Sequence, residues 1–232
     1  MNRVIASELM DGPIESLLEL EENLTDIEFV NRAFGGIAPV LREARRYGVR
    51  TLLDVCCGGG DVPLAVARDA RRRGSRVVVT LLDRSAHMLS IARQRAADDP
   101  DVAFVQADAS ALPFGDAAFD MVTCNLALHH FEPDGARALL RELRRVARIL
   151  PLVCDLRRSP LAFAAALTWS RVASRNRLTR HDAPLSVRRA YTPAEARALA
   201  LEAGWPQPRV RVEGGFRMSL ADESSLAASR PA

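Results

Sequence analysis

The sequence predicts an α/β protein: a doubly wound, mostly parallel sheet of seven strands behind a helical N-terminal segment. Three observations lead there. From residue 50 onward, short apolar runs alternate with helical patterns. The central runs are almost continuously apolar, as strands covered on both faces must be. The stretch Leu52-Leu-Asp-Val-Cys-Cys-Gly-Gly-Gly-Asp61 ends an apolar run in Asp54 and turns through glycines into a helical pattern. Glycines let a backbone turn sharply beside a ligand, and the helix start offers free N–H groups and a positive dipole end.

The elements follow in order. Residues 13–47 read as helices interrupted at Gly35-Gly36, with Thr25-Asp-Ile-Glu28 as a capping box and a second helix over Ile37–Arg46. Thr51–Val55 is the first strand and Val62–Arg72 its helix; Arg76–Leu82 and Ala86–Ala97 form the next pair. Val102–Gln106 is the third strand. Asp120–Leu126, the helix Gly135–Arg148 and the strand Leu150–Asp155 come next. Residues 160–174 read as a helix, and the polar, arginine-rich stretch 175–190 as a loop. Thr192-Pro193-Ala-Glu195 is a capping box with proline in the first turn, opening a helix that runs to Ala203 and stops at Gly204. Gln207–Val212 and Phe216–Leu220 close the sheet. The organisation expected is a helical lid over 1–48, a ligand-binding domain over 49–222 with a cap insertion at about 157–191, and a frayed tail over 223–232.

Composition sets bounds. The 232 residues are 48% hydrophobic and 26% charged, ordinary for a globular chain. No run approaches the ~20 apolar residues of a membrane span. The N-terminus lacks the apolar core of a signal peptide, so a cytoplasmic protein is expected. A net charge of +3 is too mild to imply nucleic acid. The basic residues are all arginine, and the clusters at Arg71-Arg72-Arg73 and Arg144-Arg145 lie on helical patterns as solvated faces. Cys56, Cys57, Cys124 and Cys154 lie near strand ends without metal-site spacing and read as reduced thiols; no metal ligand is assigned.

The glycine loop alone leaves two ligand classes open. A dinucleotide fingerprint wants a third glycine, and Pro63 stands there. A ladder of carboxylates decides the matter: Asp54 ends the first strand, Asp83 ends the second and Asp108 follows the third, each about one β–α unit apart, and they converge at the C-terminal sheet edge. Asp83 is placed to accept ribose hydroxyls. Asp108 is placed to accept an adenine amine, with the Ala109 N–H donating to the ring, and Asp54 to orient the loop or bind an ammonium.

With these residues in view, the chain resembles class I S-adenosylmethionine (SAM) methyltransferases, with their Rossmann-like sheet, over roughly residues 25–220. Leu53-Asp-Val-Cys-Cys-Gly-Gly-Gly-Asp61 is similar to their first motif, contributing Asp54, Cys56, Gly58 and Gly60. Leu82-Asp83-Arg-Ser-Ala-His-Met88-Leu resembles the second; the resemblance implies ribose binding by Asp83, with Arg84 beside it, and packing of Met88 near adenine. Gln106-Ala-Asp108-Ala resembles the adenine loop, and Asn125 and Leu126 are implied beside the methionine part of SAM. Cys56 replaces the usual first glycine and is expected to fit with a negative φ. Within the class the chain is most similar to the small-molecule branch that includes ubiquinone and menaquinone C-methyltransferases.

The resemblance implies a SAM-dependent methyltransferase acting on O or C of a small aromatic, phenolic or quinol-like metabolite. The alternatives are a non-catalytic SAM-binding protein and a nicotinamide-dependent oxidoreductase. Asn125-Leu-Ala-Leu lacks the prolines of DNA amine methyltransferases. Methyl transfer needs a base only when the acceptor must lose a proton. His129 and His130 open the loop after the fourth strand, and His130 is the favoured base. His181-Asp182 in the cap is the second candidate. Asp155, Arg157 and Arg158 are candidates for an acidic or phenolate substrate, Arg32 for the SAM carboxylate, and Phe29 and Phe34 for the substrate pocket.

Overall fold

The computed structural model describes residues 1–12 and 16–224. Helices α1 (Leu17–Ala33) and α2 (Ala38–Arg46) precede β1 (Thr51–Val55), α3 (Asp61–Arg72), β2 (Val78–Asp83), α4 (Ala86–Ala96), β3 (Val102–Gln106) and β4 (Phe119–Asn125). Then come α5 (Pro133–Val146), β5 (Ala147–Leu156), α6 (Pro160–Val172), α7 (Arg177–Arg189), α8 (Pro193–Glu202), β6 (Pro208–Glu213) and β7 (Arg217–Asp222). The seven strands form one sheet in the order β3-β2-β1-β4-β5-β7-β6. Strands β1 to β5 run parallel, and β7 lies antiparallel between β5 and β6. The doubly wound, mostly parallel sheet expected from the sequence is therefore present, with helices ahead of it.

Each face of the sheet is buried. On one face Leu53, Val122, Leu139, Leu143 and Trp205 pack together, and the Trp205 indole donates to the Leu140 carbonyl at 2.8 Å. On the other, Leu52, Val79, Leu81, Val66 and Met121 meet α2, α3 and α4. At the N-terminal sheet edge, the Asp120 carboxylate accepts the Arg50 and Thr51 N–H groups at 2.9 and 3.0 Å and pairs with Arg148. Burial pushes this carboxyl up, but those donors outweigh it and hold it below its ordinary value.

Four expectations need correction. Residues 175–190 are not a loop: α7 occupies most of them, capped by Asn176, whose side chain accepts from Thr179 N. Its inner face is partly polar, with Thr179, Asp182, Ser186 and Arg189 buried beside Leu178 and Val187, so it shows no apolar stripe. Thr25 and Glu28 do not open a helix. They lie inside α1, which Ser16 caps, and the Thr25 hydroxyl donates to the Glu21 carbonyl. Cys56 has φ of +59°, not the negative value expected. The tail is tied at its start, where Glu223 accepts from Arg46 and the Tyr47 hydroxyl; residues 13–15 and 225–232 lie outside the described residues. The capping box at Thr192 is present with both of its reciprocal bonds. The four cysteines are free thiols, and the arginine clusters are ion-paired rather than merely solvated, as in Arg71 with Asp99 and Arg144 with Asp222.

Gly60, at the start of α3, has φ of +73°, and a Cβ there would stand 2.5 Å from Leu81 Cδ2 in the core. Backbone strain and overpacking add at this position. Gly60→Ala is expected to lower unfolding free energy by about 2 kcal/mol or more, read from the denaturant midpoint.

Candidate active site

The parallel register sets the site. Asp54 is level with Leu81 of β2 and Thr123 of β4, at the C-terminal ends of the strands. Its carboxylate is buried and accepts from the Thr123 hydroxyl at 2.5 Å and the Asn125 amide at 2.6 Å. Asn125 Oδ1 is buried with no hydrogen-bond partner, leaving an acceptor beside a carboxylate. Asp83 holds the glycine loop: one oxygen accepts from Gly58 N at 3.0 Å and the other from Ser85 N at 2.9 Å. Each oxygen keeps a second lone pair for a ligand. Asp108 accepts from the Ser110 hydroxyl and N–H, and these bonds hold it below the usual carboxylate range.

These groups surround one cavity of about 1240 Å³. That exceeds the ~300–1,000 Å³ of an ordinary small-molecule pocket and leaves room for two ligands side by side. Asp54, Cys56, Gly58, Asp83, Arg84 and Met88 line it, as do Asp108, Ala109, Asn125 and Leu126. Gly60 does not line it; it is a packing position. Cys56 and Leu126 both adopt positive φ, +59° and +51°, so two non-glycine residues of the cavity wall carry left-handed backbone.

Across the cavity the wall is apolar and aromatic, with Phe34, Trp169, Val187 and Phe216. Arg217 also lines it, buried, and burial disfavours its charge. The N-terminal segment closes one side. Leu9 N and Met10 N donate to the Asp182 carboxylate at 2.8 and 3.0 Å, and Arg3 donates to the Arg189 and Phe131 carbonyls.

The two adjacent histidines differ. His129 is buried, with Nδ1 on Asp155 Oδ1 at 2.7 Å and its backbone N–H on Oδ2 at 2.9 Å. Burial alone favours both neutral forms, but the mutual attraction outweighs it: His129 is raised and Asp155 lowered from their ordinary values. His130 Nδ1 lies 3.0 Å from Asp11, and both rings line the cavity.

Other sequence candidates lie elsewhere. His181 is exposed, pairs with its neighbour Asp182 and does not line the cavity. Arg32 is exposed and paired with Glu28. Arg158 is buried in structural bonds to Met1 O, Ala190 O and Glu195, and neither it nor Arg157 lines the cavity. Phe29 stacks on Trp169 at 6.4 Å but stays outside, whereas Phe34 is in the wall. Residues given no role from the sequence are Glu8 and Arg217, which only the fold brings here, and Asp61 at the end of the glycine stretch. Asn31 of α1 donates to Asp61 at 2.8 Å.

A glycine loop, three strand-end carboxylates and this strand order define the class I methyltransferase fold. Residues 52–149 match the model of the methyltransferase domain. The chain is also similar to quinone-related methyltransferases over part of its length. It is 42% identical over 101 residues to the 2-phytyl-1,4-naphtoquinone methyltransferase of Nostoc sp. (strain PCC 7120), covering 42% of each chain. It is 39% identical over 103 residues to the demethylmenaquinone methyltransferase of Staphylococcus aureus (strain MRSA252), covering 44% of this chain and 40% of that one. The matched part thus spans about two fifths of the length of these curated relatives. The fold is shared with a SAM-dependent methyltransferase from Aquifex aeolicus, at TM-score 0.62 and 18% identity, over 87% of this chain and 96% of that one.

Burial pushes the Asp54 carboxyl up to about 7 from 3.8, against the Thr123 and Asn125 bonds that favour the anion; Asp61 and Asp83 push it the same way. The folded protein keeps this proton to higher pH than the unfolded chain. The resulting stabilisation is complete below pH 3.8 and is lost as pH rises through about 7. Asp54→Asn removes that titration, so the variant should gain stability relative to wild type as pH rises over this window, measured by denaturation at several pH values.

Proposed function

We propose that the protein is a SAM-dependent methyltransferase whose acceptor is an oxygen or carbon of a small aromatic, phenolic or quinol-like metabolite. The observation that carries this reading is one cavity lined both by Asp54, Asp83 and Asp108 and by Phe34, Trp169 and Phe216, with room for a second molecule. SAM, when bound, supplies a methyl group already activated by its sulfonium charge. The chain then has to bind, orient and exclude water.

The roles follow from the donors and acceptors. Asp83 has lone pairs left for vicinal ribose hydroxyls while it fixes the loop through Gly58 N. Asp108 stays ionised to accept an adenine amine, with Ala109 N–H beside it and Met88 against the ring. Asp54 and the unpartnered Asn125 Oδ1 suit an ammonium group. Phe34, Trp169 and Phe216 suit a flat acceptor, and Arg217 suits its developing phenolate or enolate oxygen. Of the histidines, His129 and His130 stand in the cavity wall to manage the acceptor's proton. The naphthoquinone and menaquinone names of the relatives support an aromatic dioxygenated ring as the acceptor.

Titration calorimetry with SAM, S-adenosylhomocysteine and NAD tests the reading: both sulfur nucleotides are expected to bind, and NAD binding in their place would overturn it. Asp83→Asn should weaken SAM by about tenfold or more, since it removes a charge-assisted bond worth ~1.5–3 kcal/mol, with the fold intact by circular dichroism. In a methyl-transfer screen over phenols and quinols, His181→Ala should turn over like the wild type, and replacement of His130 should slow it.

A further inference from the structure

His129, His130 and Glu8 meet in a way that proton transfer alone does not explain. Both imidazoles are held at Nδ1 by carboxylates, His129 by Asp155 at 2.7 Å and His130 by Asp11 at 3.0 Å. Each ring can donate an Nδ1 proton to its carboxylate, which leaves Nε2, once deprotonated, to offer its lone pair the other way. Both Nε2 atoms point to one carboxylate: His129 Nε2 is 3.6 Å from Glu8 Oε1, and His130 Nε2 is 3.8 Å from Glu8 Oε2. These separations are too long for hydrogen bonds. They are close to the spacing of two atoms on one tetrahedral ion with bonds of ~2.0–2.2 Å. One donor atom from each of the three residues lies within 4.8 Å of the others.

A second observation is independent of that spacing. Glu8 is 2% exposed, and its Oε1 has no hydrogen-bond partner. A buried carboxylate is costly unless it is paired or coordinates a metal. Arg189 makes only a loose ion pair with Glu8: Nη1 stands 3.5 Å from Oε1 and donates to Asp11, while Nη2 donates to the His130 carbonyl, so no hydrogen bond reaches Oε1. Glu8 is fixed from outside the cluster, because the next two backbone N–H groups bind Asp182.

We propose that Glu8, His129 and His130 form a binding site for a divalent transition-metal ion. Two imidazoles and one carboxylate suit Zn²⁺, Co²⁺ or Fe²⁺ and not Mg²⁺ or Ca²⁺. Asp155 and Asp11 are the outer carboxylates that orient metal-binding histidines. Three protein ligands leave one position open, and all three residues line the cavity. That position takes the oxygen of the methyl acceptor, which loses its proton to solvent more readily once bound to the ion. The acceptor's role rests on the methyltransferase reading; the metal site does not.

The test uses the full chain, stripped with a chelator and dialysed. Zn²⁺ and Co²⁺ are titrated with metal analysis of the protein and the visible spectrum of the Co²⁺ form, and Mg²⁺ is tried as competitor. About one Zn²⁺ or Co²⁺ per chain is expected, undisturbed by Mg²⁺, with no thiolate charge-transfer absorption. Glu8→Gln and the half-exposed His130→Gln should each weaken binding by about tenfold or more and leave S-adenosylhomocysteine affinity unchanged. No stoichiometric metal, thiolate bands from the cysteines, unaltered binding in both variants, or two doubly protonated imidazoles by nitrogen NMR in metal-free and metal-treated protein alike would each overturn the proposal. Metal binding without nucleotide binding would instead overturn the methyltransferase reading and leave the site standing.

Discussion

The parallel register of β1 between β2 and β4 is the constraint on which the rest depends. Asp54 stands level with Leu81 and Thr123, and β2 ends two residues later in Asp83. Parallel strands put their C-terminal ends on one edge, so acids that follow successive strands converge without any long-range search. The Asp83 carboxylate then turns register into loop shape by accepting from Gly58 N across the gap between β1 and β2. A slip of one residue would turn Asp54 to the opposite face and separate it from Thr123 and Asn125.

How much of this was legible follows from how local each signal is. Thr51–Val55 and the Thr192–Glu195 cap were readable because period and capping residues sit within a few positions. The convergence of Asp54, Asp83 and Asp108 on one cavity was readable too, since each acid lies in or just after the end of its strand. Helix α7 was not. Its buried face uses Thr179 and Asp182, whose partners Asp26, Leu9 and Met10 lie in a distant stretch of sequence, and Ser186, which donates to the Asp182 carbonyl. A hydrophobicity pattern cannot report polar burial that is satisfied from elsewhere. The helix also holds Pro184 in its interior. Thr25-x-x-Glu28 has the letters of a capping box, but α1 already has its cap at Ser16.

The histidines show the same limit at atomic scale. His129 and His130 are neighbours in sequence, yet one is buried on Asp155 and the other half-exposed on Asp11. His181, the second candidate, has an acid beside it. In the fold that acid serves the N-terminal segment, and the ring faces away from the cavity. Glu8 has no signal of its own in the sequence; its place comes from the latch of Leu9 and Met10 to Asp182.

The left-handed backbone at Cys56 and Leu126 has a consequence for where strain is held. Both residues sit at the cavity edge of the sheet. At the opposite edge, Asp120 satisfies the Arg50 and Thr51 N–H groups and pairs with Arg148. The strained rim is bonded too: Cys57 and Leu126 donate to the Leu82 and Cys154 carbonyls, and Gly58 to Asp83. The left-handed turns are therefore clamped from neighbouring strands, above a sheet anchored at its other edge.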